Sequence, residues 1–199
     1  MMDIEFIPDF DYDDDSSSAL PNPIDYYFYK GLKEGAVTLN DEVNDDLIEK
    51  VIFPLMQMDV NPDIEHITFY VNSSGGDPQD GMAVVNCLEN MQTPVTICIL
   101  GRAASAAAYI VMAKGSHIRT VCGKYSVSLI HAGSVFLWGN ANEAEDTHDF
   151  IKRYDEQILK KFVISHTKIT EKKYEEIKRR EYWMLADEML ELGIVDEIV

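Results

Sequence analysis

Basic residues are scarce in this chain. Seventeen lysines and arginines stand against thirty-five aspartates and glutamates, a formal charge of −18 at pH 7. A surface so acidic repels phosphate backbones, which argues against nucleic acid as a partner. Cysteine is scarce too. Cys87, Cys98 and Cys122 are the whole supply, and no two of them form a CxxC pair. An odd, unpatterned set of thiols does not make a disulfide framework; it points to reduced, buried cysteines and to a cytoplasmic setting. No stretch reaches the ~18 uninterrupted apolar residues that a membrane-spanning helix needs. The first residues lack the basic and then apolar regions of a secretory signal. The expectation is a soluble, intracellular protein without a membrane partner.

What the chain does have is enough length and apolar content for one core. Its 199 residues are 46% hydrophobic, the range of an ordinary globular domain. The acidity is uneven. Residues 1–20, MMDIEFIPDFDYDDDSSSAL, hold seven acids and no base. Charge repulsion, flexible serines and the PNP that follows make residues 1–24 an expected tail. Phe6, Ile7 and Phe10 within it give it something to dock with.

From residue 25 onward the pattern is regular. Short β-rich runs (AVTL at 36–39, HITFYV at 66–71, VTICIL at 95–100, HIRTV at 117–121, SVSLIH at 126–131) alternate with helical patterns. Asn40 or Asn44 can cap the first of these helices, which carries Leu47, Ile48, Val51, Ile52 and Leu55. Pro54 falls inside that pattern and is expected to kink the helix or end it early. Helices are expected over 79–91 and 103–114, an amphipathic one over roughly 141–165, and further ones over 171–180 and from Ala186. Strands near YWML and in the final GIVDEIV close the chain. Strand and helix alternating at this spacing predict stacked βαβ units and a mostly parallel sheet, hence an α/β fold.

Three features carry chemistry. VNSSGGD follows a strand directly, and paired glycines there let the backbone turn its N–H groups toward a ligand, as an oxyanion site requires. Taken alone it reads equally as a tight turn. Ser105, the only hydroxyl in GRAASAAAY, stands after the next strand at a helix start, where free N–H groups favour developing negative charge. Alone it is a capping or packing serine. His131 ends the apolar run SVSLI, and alone it is an ordinary core or surface histidine. Their order is the stronger signal. In a parallel sheet, residues that follow successive strands emerge at one edge, and nucleophile, base and oxyanion site together are what acyl transfer to water needs.

These motifs, YVNSSGGDPQDGMAV, TICILGRAASAAAYI, SLIHAG and LADEMLELGIVDEIV, occur in the order and at the approximate spacing of the proteolytic subunit of Clp protease (ClpP). The chain from Asp25 to Val199 resembles that family of self-compartmentalising serine peptidases. The resemblance implies the ClpP/crotonase fold, a spiral of ββα units with a protruding handle over about 134–166, in which SVFLWGN leads into the helix. It implies Ser105 as nucleophile, His131 as general base, and the N–H groups of Gly76 and Ala106 as the oxyanion site. Asp77, Pro78 and Ser134 fall in the family's substrate-binding segments. No cofactor or metal is expected. The implied partners are peptides or unfolded proteins as substrates, other copies of the chain in stacked heptameric rings, and an AAA+ unfoldase that feeds them.

The sequence also departs from the family. Its triad aspartate aligns with Glu181, whose carboxylate can still orient an imidazole but needs its backbone set slightly further back; Asp187 is the nearest aspartate. Beside Arg179 and Arg180, Glu181 also reads as a solvated charge. Ser74 replaces the proline that usually precedes the two glycines, and Pro78 has no N–H to offer a substrate strand. Ala132 and Gly133 follow His131 where the family has a polar residue and a proline. Two competing functions follow. One is a non-catalytic ring subunit, which Glu181 keeps open and an intact Ser105 and His131 oppose. The other is an acyl-CoA enzyme of the crotonase type, which needs neither the serine nor the histidine.

Overall fold

The computed structural model describes residues 23–133 and 139–199, so the reading of 1–20 and that of SVFLW at 134–138, Ser134 included, lie outside the described residues. Helix α1 (Pro23–Lys33) begins within the stretch read as tail. Strand β1 (Ala36–Leu39) follows, then a single π-helical turn (Ile48–Ile52) that runs straight into α2 (Phe53–Asp59). Next come β2 (Ile67–Ser73), α3 (Pro78–Asn90), β3 (Val95–Ala104) and α4 (Ala106–Val111). Strands β4 (Ile118–Cys122) and β5 (Val127–Ile130) precede α5 (Ala141–Tyr154), which passes through a second π turn (Asp155–Leu159) into α6 (Lys160–His166). Helix α7 (Glu171–Ile177), β6 (Tyr182–Leu185), α8 (Ala186–Glu191) and β7 (Glu197–Ile198) complete the chain.

Of the two outcomes expected at Pro54, the early end does not occur. The proline sits in the first turn of α2, directly after the π turn. A proline in an α-helix collides with the carbonyl four residues back and has no N–H to donate. The wider π turn absorbs both defects by shifting the hydrogen-bond register, and the helix continues to Asp59.

The sheet is parallel except at one pair. Strands run in the order β1-β2-β3-β4-β7, and β5 pairs with the far end of β3 on one side and antiparallel with β6 on the other. Alternation dictates the core. Ile67, Phe69 and Val71 of β2, and Val95, Ile97 and Ile99 of β3, are all buried. Against them pack Val84, Val85 and Leu88 of α3 and the whole of α4. β3 runs four residues past the VTICIL segment because Arg102–Ala104 leave β4 and pair with Val127–Leu129 of β5. That extension carries Ser105 beyond the body of the sheet, next to the end of β5.

The long C-terminal helix divides by environment. No residue of α5 is buried, whereas Leu159, Phe162 and Val163 further along are. Its start is fixed by a capping box in which the Asn140 side chain accepts from Asn142 and Glu143 N–H and Glu143 accepts from the Asn140 N–H. Its inner end is tied to the body where the Tyr174 hydroxyl donates to Asp155 at 2.8 Å and Lys178 Nζ donates to Asp155 and Glu156.

Candidate active site

Three parallel strands end at one edge. The Gly-Gly turn follows β2, Ser105 follows β3 and His131 follows β5. Ser105 Oγ lies 2.8 Å from His131 Nε2. The two residues are 26 positions apart in the chain, so the contact is made by the register of β3 with β5, which the Ser105 N–H extends by donating to the Leu129 carbonyl at 2.9 Å.

Ser105 is also the only non-glycine residue with positive φ among the described residues, at φ 54° and ψ −123°. A serine is held in that region only when its surroundings over-determine it. Here the strand ladder fixes the N–H, the Ala108 N–H fixes the carbonyl, and Ala103, Ala104, Ala106, Ala107 and Ala108 are too small to push the turn outward. Those five alanines are buried at 3% exposure or less, whereas Ser105 is half-buried with its hydroxyl on the histidine. The reversal from strand to helix aims the hydroxyl along the sheet edge and leaves α4 with its N-terminus behind it.

The glycine turn is held by its own small network. The Gly75 N–H donates to Ser73 Oγ at 3.1 Å, and Ser73 Oγ donates to the Asp41 carbonyl at 2.6 Å. Val43 bridges the turn on the other side: its N–H donates to the Gly75 carbonyl, and its carbonyl accepts the Asp77 N–H at 2.8 Å. The Gly76 and Ala106 N–H groups make no hydrogen bond among the described residues, and Gly76 is exposed. Gly75 stands closer to the serine. A β-carbon there would lie 2.7 Å from Ser105 Cβ and 2.8 Å from the Ala106 nitrogen. The packing distinguishes the two glycines: Gly75 lies against Ser105, whereas Gly76 is exposed with its N–H unpaired among the described residues.

Asp77 and Pro78 open α3. The Asp77 carboxylate accepts from the Gln79 and Asp80 N–H groups as its cap, and Pro78 occupies the first turn, where a missing N–H costs nothing. The Tyr154 phenol is pushed up from its ordinary value by burial and then by the Asp77 carboxylate, so the end of α5 lies near this corner. A cleft of about 560 Å³ borders the two glycines, with Asn40, Glu42, Asn72 and Arg102 on its walls.

Glu181 immediately precedes β6. The β5–β6 register pairs Ile130 with Tyr182, so one step further puts Glu181 across from His131. Its carboxylate is engaged elsewhere: Glu181 Oε2 accepts the Trp183 indole N–H at 3.4 Å, and no hydrogen bond joins it to His131 among the described residues. Asp187 is exposed in the first turn of α8. A protein-family model described as Clp protease matches residues 24–199, and the parallel sheet flanked by helices agrees with that family's fold.

Proposed function

The chain belongs to the Clp protease family, and on that premise we propose that it is a serine endopeptidase subunit in which Ser105 attacks and His131 carries the proton. The observation that bears most weight is the 2.8 Å approach of His131 Nε2 to the hydroxyl of a serine held at positive φ. Neutral Nε2 accepts the Ser105 proton as Oγ bonds to the substrate carbonyl carbon. The carbonyl oxygen takes the negative charge and is received by the Gly76 and Ala106 N–H groups, aided by the positive end of the α4 peptide dipoles. The imidazolium then gives its proton to the amine as the C–N bond breaks. Water, deprotonated by the same nitrogen, releases the acyl group and restores Ser105.

Glu181 is the acid assigned to hold the imidazolium, through the Nδ1–H that faces away from Ser105. Substrate lies as an extended strand against the Asp77–Pro78 and Ser134 segments. Pro78 can offer that strand a carbonyl but no N–H, so the binding register leans on its neighbours. Several copies enclose these sites in stacked heptameric rings, with α5 and what precedes it forming the handle between rings. No residue of α5 is buried, and an amphipathic helix left so largely uncovered has a face to give to another subunit, which supports that assignment. An AAA+ unfoldase in the cytoplasm supplies unfolded chains.

One observation favours a non-catalytic subunit instead: the Glu181 carboxylate rests on Trp183 and not on His131. Peptide turnover separates the readings. The purified protein should cleave a quenched peptide and Ser105→Ala should not, with native mass and images of rings unchanged between the two. A wild-type assembly without turnover would favour the non-catalytic subunit.

A further inference from the structure

Nucleophile and base are in contact, the assigned acid is opposite the base in register, and a neighbouring indole holds that acid. From this juxtaposition we propose that Trp183 is a positioning residue of the active site, which parks the Glu181 carboxylate and so sets how often the triad is complete. The inference rests on Glu181 being the acid.

The geometry has four parts. His131 Nε2 is engaged by Ser105 at 2.8 Å, and Nδ1 has no partner among the described residues. Glu181 and Trp183 are two residues apart on one extended segment, so their side chains share a face. Residues opposite one another in an antiparallel pair also share a face, which puts the His131 ring on that side with them. The indole bond to Glu181 is 3.4 Å, at the long end for an N–H donor, and Trp183 is 48% exposed, so neither partner is locked in place. A rotation of the glutamate side chain exchanges one donor, indole Nε1–H, for another, imidazole Nδ1–H. No new proton is required.

The exchange has a direction. As Ser105 gives up its proton the ring becomes cationic, and a charged donor outcompetes a neutral indole for the carboxylate. In the resting state the ring is neutral and the indole competes on nearly equal terms. Trp183 therefore stabilises the ground state more than the transition state, and removing its N–H should raise turnover without changing substrate binding.

The test uses the full-length protein and a quenched peptide. Trp183→Phe keeps an aromatic ring on β6 and deletes the donor. It should raise kcat about five-fold, the worth of an ordinary net hydrogen bond, with KM unchanged and the acid limb of the kcat profile displaced. In the Glu181→Gln background the same change should give no gain. An NMR spectrum of the indole protons supplies a second readout that does not depend on the variant at 183. Glu181→Gln should move the Trp183 Nε1–H resonance, which Trp138→Phe identifies by removing the other indole. If Glu181→Gln lowers activity while Trp183→Phe leaves kcat and its pH profile unchanged, the parking role is wrong and the acid assignment stands. If Glu181→Gln is fully active, the acid assignment itself fails. Should Trp183→Phe not assemble, an indole resonance unmoved by Glu181→Gln overturns the proposal.

Discussion

Gly75→Ala should disable the site through its packing against the nucleophile. The added β-carbon would overlap the Ala104 carbonyl oxygen and lie 2.7 Å from Ser105 Cβ and 2.8 Å from the Ala106 nitrogen. Two of those three atoms are backbone, and the third is the nucleophile's own β-carbon, so no flexible side-chain tip can yield. Gly75 also has φ +91°, where an alanine costs about 1–3 kcal/mol in backbone strain. Relieving the overlap to an ordinary carbon contact needs roughly 1 Å of displacement. A shift of that size in a reacting group costs about 100-fold in rate. The expectation is kcat/KM reduced about 100-fold, with a melting temperature lower by a few degrees for each kcal/mol lost. Gly193→Ala is the control: its φ is +71°, but its neighbours are atoms of the flexible Lys168 side chain. It should lose comparable stability and keep its activity. A Gly75→Ala protein that retains half the wild-type rate, or loses no more than Gly193→Ala, refutes the packing of the glycine turn on Ser105.

Three further outcomes follow from other parts of the molecule. Glu181→Gln should reduce turnover by on the order of 10²–10⁴ while Asp187→Asn has no effect, read from peptide kinetics at one enzyme concentration; the reverse pattern moves the acid to Asp187. Asp77→Ala removes the cap of α3 and should lower unfolding free energy by about 1 kcal/mol in a denaturant titration, and an unchanged midpoint would mean that the cap is idle. The Cys87 thiol is pushed up to about 11, chiefly by burial and then by Asp59. Only about one molecule in a thousand is then a thiolate at pH 8, so iodoacetamide should modify Cys87 slowly in the folded protein, at a rate rising about ten-fold per pH unit toward 11. Rapid modification at pH 8 contradicts that burial.

Much of the architecture could be read from the chain because its signals are local. β-rich runs alternating with helical patterns give a parallel sheet, and a parallel sheet brings the ends of β2, β3 and β5 to one edge without further assumption. The Gly-Gly turn, Ser105 and His131 are each weak alone and become specific through that shared edge. What the chain did not reveal depends on tertiary register. Pro54 reads as a kink or an early end until the helix is seen to continue through it after a π turn. α1 begins at the second proline of PNP, within the stretch whose charge, serines and prolines read as a tail. The positive φ of Ser105 follows directly on a change of partner along β3, from β4 to β5 at Arg102, which no local pattern encodes. The partner of Glu181 is likewise invisible in REYWML, where the nearby arginines look like the natural choice and the indole two residues on is the one in contact.

The central claim is that Ser105 is a nucleophile activated by His131. A fluorophosphonate probe tests it on the intact protein, with the modified peptide located by mass spectrometry. The account predicts one adduct per chain, on Ser105, absent in Ser105→Ala and strongly slowed in His131→Ala. Labelling on another residue, or equal labelling with and without His131, would contradict it.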